Sequence, residues 1–285
     1  MTDVVTGQSI DQLVRVLDLQ RVGVAGHWRG ASMSRPHHRV YGGQLVAQAY
    51  LAVAREAADR LLSHVPHSVH CTFLAQAEPS ATLEYRVRPL REGGAFARYE
   101  VEVTQDVRPV GLVVVSFHRP ETGYEHGTAV LPARPPEAGR PQGQFSDPAT
   151  GGWLPGPVEV RELPPDGPTL GPADPTELWL RVPRELPDDP LLHDAVLLYL
   201  SDLRMLRSLF RGHGVDRSRT RSASLDHAVW LHRRARVDDW IAYRTTSPWA
   251  GAGRGLGTGT LVAGTGELIA TTVQEMLVRP VAGTS

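Results

Sequence analysis

The chain has 285 residues, of which 41% are hydrophobic and 21% charged, with a formal net charge of −1. This is an ordinary globular composition, long enough for two domains or one fused pair of units, and the near-neutral charge gives no reason to expect nucleic acid or an anionic membrane as partner. All 30 basic residues are arginine, which excludes Schiff-base lysine chemistry, a pyridoxal-phosphate anchor and a P-loop lysine.

Cys71 is the only cysteine, so an internal disulfide framework is excluded. The first residues, Met1-Thr-Asp-Val-Val5, show neither the basic nor the apolar region of a secretory signal. No apolar run approaches the roughly 20 residues that a bilayer span needs. The expectation is a cytoplasmic protein with no membrane partner.

In chain order, residues 10–20 read as a short amphipathic helix and residues 22–28 as a first strand. Residues 42–62 follow as a helix that is apolar almost all round, with Gln44, Gln48, Arg55 and Asp59 among its few interruptions. Such a helix is buried on most sides. Strand patterns come next at 68–74, 83–90, 97–104 and 110–118. Residues 119–175 hold 13 of the 23 prolines, which leaves little room for regular structure. After strands at 158–162 and 178–182, Asp189 caps a second apolar helix over 191–210, with Pro190 at its first position. Four more strands follow at 223–231, 240–246, 255–262 and 268–278. One helix followed by four strands therefore occurs twice. The expected organisation is an N-terminal unit over 1–118, a proline-rich linker over 119–155 and a C-terminal unit over 156–285, each unit a central helix wrapped by an antiparallel sheet.

The two copies differ in their polar residues. Asp202 interrupts the second helix, and its helical neighbours are Ala195, Leu198, Tyr199, Met205 and Leu206. A carboxylate in such company is costly unless paired, and perturbed carboxylates concentrate at functional sites; the alternative is that this part of the helix is wet. Gln274 interrupts the last strand on the face shared by Ala270, Thr272 and Met276, where it either points at the helix or merely sits near a strand end. Ser224 opens a strand on the same predicted face as Asp226, with His227 on the other. No Gly-x-Ser-x-Gly elbow occurs, so the main hydrolase form of a serine triad lacks its motif. Gly42 and Gly43 open the first helix, where unpaired amides at the positive dipole end suit a developing oxyanion; they equally let helix and sheet approach closely. The glycine-rich run 251–259 does not satisfy the dinucleotide fingerprint and reads as a loop leading into a strand. His37, His38, His67 and His70 lack the spacing of a zinc motif.

Several strings resemble the acyl-CoA thioesterase II family: Val40-Tyr-Gly-Gly-Gln-Leu-Val-Ala-Gln-Ala49, His67-Ser-Val-His-Cys-Thr-Phe-Leu74, Leu90-Arg-Glu-Gly-Gly-Ala-Phe96, Ser201-Asp-Leu203, Ser224-Leu-Asp-His-Ala-Val-Trp-Leu-His-Arg233 and Thr272-Val-Gln-Glu275. The resemblance covers nearly the whole chain outside the linker. It implies an α+β double hotdog, two fused helix-in-sheet units, that hydrolyses acyl-CoA to free acid and CoA. The family's catalytic Asp, Thr or Ser, and Gln fall on Asp202, Ser224 and Gln274, so Asp226 is not the catalytic acid. Gly42, Gly43 and His70 are the substrate-side and oxyanion candidates. Two departures lie in the first copy. Ala75-Gln-Ala77 replaces the family's frequent Arg-Pro-Gly, and Ala95 stands where the family has a serine. The resemblance implies no cofactor and no metal, acyl-CoA as the partner, a role in fatty acid metabolism and a homo-oligomer. The competing readings are a hotdog enoyl-CoA hydratase and a non-catalytic acyl-CoA binding module.

Overall fold

The computed structural model describes residues 9–33, 39–127, 131–132, 134–146, 153–164, 174–210, 213 and 220–281. His37 and His38 lie outside them. Helix α1 (Ile10–Leu17) starts with Ser9 and Gln12 in a reciprocal capping box. Strands β1 (Gln20–Arg21) and β2 (His27–Gly30) form a hairpin where the sequence suggests one strand, because Gly23 and Gly26 adopt left-handed φ angles of 57° and 77°.

Helix α2 (Gly42–Glu56) is buried at every position from Gly43 to Ala54, as its apolar composition requires. Strands β3 (Val65–Phe73), β4 (Leu83–Glu92), β5 (Phe96–Gln105) and β6 (Arg108–His118) follow. The second half repeats this order with α3 (Pro190–Ser201), β12 (Thr220–Ser224), β13 (Asp226–Leu231), β14 (Ile241–Gly251), β15 (Arg254–Ala263) and β16 (Leu268–Pro280). Strands β3 and β13 pair antiparallel, with Val69 opposite Val229, and this ladder joins both halves into one sheet of 14 strands among the described residues. The central helices α2 and α3 pack on each other inside it, and Tyr50 Oη donates to Asp194 Oδ2 across their contact at 3.0 Å. This is the double-hotdog architecture.

The proline-rich stretch is more structured than its composition suggests. Strand β7 (Arg140–Gln142) pairs at the sheet edge with β10 (Glu159–Glu162), which in turn pairs with β11 (Thr176–Arg181). Strands β8 (Phe145–Ser146) and β9 (Trp153–Leu154) form a separate small ladder. The glycine run also differs from its reading as a loop. Gly255, Gly257 and Gly259 lie on the inner face of β15, and a Cβ on Gly255 would meet Leu209 at 1.9 Å. The bare backbone at Gly255 and Gly257 lets helix α4 (Met205–Phe210) lie close against the sheet, while Gly259 makes room for Tyr243 and Thr272.

The second helix is not continuous over 191–210. It ends at Ser201, Asp202 is its C-cap, and Arg204 turns back with φ 65° before α4 begins. Side chains compete for the last carbonyls: Ser201 Oγ donates to the Leu198 carbonyl at 2.8 Å, Tyr243 Oη to that of Ser201 at 2.5 Å and Tyr41 Oη to that of Tyr199 at 3.2 Å. These bonds allow a helix to end in the core without orphan acceptors.

Candidate active site

The break in the second helix turns Asp202 toward the start of α2. Tyr41, the N-cap residue of α2, makes no side-chain cap. Asp202 takes that place: the Gly43 amide donates to its Oδ2 at 2.9 Å. A carboxylate at this end of a helix is favoured both by the unpaired amides and by the dipole. The approach depends on the two glycines. A Cβ on Gly42 would stand 2.9 Å from Asp202 Oδ2, and one on Gly43 would stand 2.6 Å from the Tyr199 carbonyl oxygen.

Gln274 lies on β16 and is buried on the inner face with Thr272 and Met276, as the strand period predicts. Ser224 ends β12, and its Oγ is 2.5 Å from the Gln274 amide. Asp202, Ser224, Gln274 and Gly42 all border one cleft of about 390 Å³. Its apolar wall includes Leu45, Phe73, Phe145 and Met205, and Arg39, Arg204 and Arg207 line it as well. Arg39 also donates to the Ser222 carbonyl at 3.2 Å. Burial pushes its guanidinium pKa down, and the Asp202 charge opposes that.

The strand carrying Ser224 departs from simple alternation. Ser224 faces Met276 and Ala228 faces Val273, so four steps on one strand match three on the other. The extra residue is a β-bulge at Leu225 and Asp226, beside Glu275. Ser224 and Asp226 therefore do not share a face, contrary to the expectation from strict alternation. His227 turns inward instead, wholly buried, with Nε2 2.8 Å from Ser201 Oγ. Asp226 is not in the cleft wall; its Oδ1 accepts the Glu275 amide at 2.8 Å.

His70 does not line the cleft either. It alternates outward on β3, between buried Val69 and Cys71, with its ring against Trp230 at 5.0 Å. Cys71 faces the core; burial raises its thiol pKa well above the usual value, and the Asp202 and Asp226 charges add to this, which disfavours a thiolate nucleophile. Among the described residues no group of three or more His, Cys, Asp or Glu is arranged to hold a metal ion, and no helix is long and apolar enough to cross a membrane.

Sequence reasoning missed the contribution of the proline-rich stretch. Gln144 donates to Tyr199 Oη at 2.8 Å, and the Phe145 ring meets Tyr41 edge-on at 6.1 Å. Both residues border the cleft. No local pattern marks them, because their partners are distant in sequence.

Comparison with known proteins agrees over nearly the whole chain. Residues 31–118 match a family model described as the acyl-CoA thioesterase N-terminal domain, and residues 168–277 match one described as acyl-CoA thioesterase. The chain is 31% identical to acyl-CoA thioesterase 2 of Haemophilus influenzae, over 95% of this chain and 98% of that protein. It is 28% identical to human acyl-coenzyme A thioesterase 8, over 88% and 84% of the respective chains. Its fold matches the acyl-CoA thioesterase II of Mycobacterium marinum with a TM-score of 0.80 at 32% identity, covering 96% of this chain and 99% of that one. Two family models in order, a nearly full-length relative and a matching fold establish that this chain belongs to the acyl-CoA thioesterase family of hotdog thioester hydrolases.

Proposed function

We propose that the chain hydrolyses acyl-CoA by direct attack of one water held by Asp202, Ser224 and Gln274. The observation that carries this reading is the shared cleft. A buried carboxylate fixed on a helix-start amide faces the same space as a hydroxyl and an amide 2.5 Å apart. A carboxylate oxygen accepts more than one hydrogen bond, so the Gly43 amide leaves Asp202 capacity for a water.

In this mechanism the water oxygen attacks the thioester carbonyl carbon while Asp202 takes its proton as general base. The tetrahedral oxyanion collapses, the C–S bond breaks, and the proton passes from Asp202 to the CoA thiolate. Free acid and CoA leave, with no covalent enzyme intermediate. The oxyanion is assigned to the amides at Gly42 and Gly43. Gly43 first holds Asp202. As Asp202 gains a proton it becomes a weaker acceptor, which releases that amide to the oxyanion when charge develops.

The wider assignments are proposals of the same standing. We divide the chain into hotdog units 1–118 and 156–285 joined by a strap over 119–155. A buried lone thiol fits a reducing cytoplasm, and the substrate class fits fatty acid metabolism. Self-association is expected through the outer sheet face, where Phe96 and Trp230 remain 56% and 36% exposed. Edge pairing is disfavoured because the sheet ends in the very short β1 and β7.

The deciding experiment follows thiol release from acyl-CoAs of increasing chain length with wild type and Asp202→Asn. Asp202→Asn should keep the fold and lose about 10²- to 10⁴-fold in kcat. Near-normal hydrolysis by that variant would remove Asp202 from the mechanism. Absence of thiol release from every saturated acyl-CoA by the wild type would favour a hydratase or a binding module.

A further inference from the structure

We infer that His227, which does not border the cleft, is a positioning residue that acts through Gln274 to turn the lone pairs of Ser224 toward the attacking water. The inference rests on the Asp202, Ser224 and Gln274 reading and adds a direction to its hydrogen bonds.

The chain of bonds starts at the end of α3. Ser201 Oγ has one proton and donates it to the Leu198 carbonyl at 2.8 Å. Toward His227 Nε2, 2.8 Å away, the same oxygen can only accept. Nε2 therefore carries the ring proton. Complete burial favours the neutral ring, with the charges of Asp202 and Asp226 and the Gln274 side chain opposing. A neutral ring protonated on Nε2 presents a bare lone pair at Nδ1.

Gln274 stands on the other side of that lone pair. One step beyond the Ala228–Val273 pair, the register brings residues 227 and 274 opposite each other on neighbouring strands. With Gln274 Nε2 directed at Ser224, neither Gln274 Oε1 nor His227 Nδ1, both buried, has a hydrogen-bond partner among the described residues. Two buried orphan acceptors are costly. A half turn of the amide pairs both: Nε2–H donates to His227 Nδ1, and Oε1 accepts from Ser224 Oγ–H. The 2.5 Å separation from Ser224 suits this arrangement, because O–H···O bonds span about 2.5–3.0 Å and N–H···O bonds about 2.7–3.2 Å.

The consequence reaches the reaction. With its proton committed to Gln274, Ser224 offers only lone pairs to the cleft. The water then donates one proton to Ser224 and the other to Asp202, which leaves its own lone pair for the carbonyl carbon. In the reverse arrangement Ser224 would donate to the water, engage one of its two lone pairs and so lower its nucleophilicity. His227 fixes the sense because its tautomer is set by Ser201, next to the general base Asp202.

Two measurements test this on the full chain. In nitrogen-15 spectra, the His227 ring, assigned through its own backbone, should be the neutral Nε2–H tautomer near pH 7.5; a proton on Nδ1 would overturn the inference. His227→Phe should lower kcat about tenfold with KM changed less than about twofold. On a Gln274→Ala background the same substitution should cost less than about twofold, since residues acting as one unit are not additive. Equal losses on both backgrounds would show a merely structural role. If Gln274→Ala alone leaves kcat unchanged, the three-residue water site fails, and the positioning role fails with it. If Gln274→Ala lowers kcat and the two backgrounds respond equally, only the positioning role fails.

Discussion

The Gly43 amide donates to Asp202 Oδ2 at 2.9 Å across 159 residues of sequence. Each half of the chain thus completes the other: the first contributes a helix start without its own side-chain cap, and the second contributes the carboxylate that occupies it. The two glycines should respond differently to a methyl group. On Gly42 it would press the side chains of Phe73 and Asp202, at 2.7 and 2.9 Å. Gly42→Ala should therefore fold, with kcat reduced about tenfold or more by a displaced Asp202. On Gly43 the methyl meets the Tyr199 carbonyl oxygen at 2.6 Å, and that backbone cannot retreat. Gly43→Ala should lower Tm as well as kcat, and thermal melts beside kinetics separate the two.

Ser224 offers the water one hydrogen-bonding group and Gln274 holds that hydroxyl in place, whereas Asp202 supplies the base. Ser224→Ala and Gln274→Ala should each reduce kcat by about 10- to 100-fold, less than Asp202→Asn. Losses from either alanine variant matching that of Asp202→Asn would mean that the base is not the dominant contributor.

Tyr50 and Asp194 join the two central helices away from the cleft. Asp194 is almost fully buried, and its other partner is Arg234, with Nε at 3.5 Å. Tyr50→Phe removes the nearer donor and should cost about 1–3 kcal/mol of stability. Since neither residue touches the cleft, kcat should stay within about twofold. Denaturant unfolding and turnover on one preparation check both halves of the prediction.

Acid should weaken the fold through the buried imidazole of His227. Burial holds His227 below the usual value of 6.5. The unfolded chain then takes up the proton more readily than the folded one. Stability from the neutral ring is complete above the unfolded value and is lost as pH falls through 6.5 toward the folded value. His67, His70 and His232 are lowered in the same direction. Tm should fall between about pH 7.5 and 5, and His227→Phe should make that decline shallower. An unchanged slope in the variant would exclude His227 as a contributor.

Phe145 is carried by the proline-rich stretch, yet it packs on Tyr41 and borders the cleft. Phe145→Ala would enlarge the apolar wall. If the acyl chain lies along this wall, the optimum should shift toward longer acyl-CoAs, with kcat/KM for short ones falling. The same chain-length profile in variant and wild type would put the acyl group elsewhere.

The sequence alone determined the two buried helices, the order of strands around them and the polar residues that interrupt each apolar run. Helix and strand periods are local properties, so Gln274 fell on the inner face as its alternation required. Tertiary structure decided what those periods cannot carry. An unbroken helix over 191–210 would leave Asp202 among its helical neighbours; the break at Ser201 turns it onto the Gly43 amide. Strict alternation would put His227 opposite Ser224; one extra residue at Leu225 brings it inward to Ser201. Composition marked residues 119–175 as irregular, yet Gln144 and Phe145 help to wall the cleft. In each case the controlling contact joins segments far apart along the chain. Such contacts exist only once both halves have packed, and no window of local sequence encodes them.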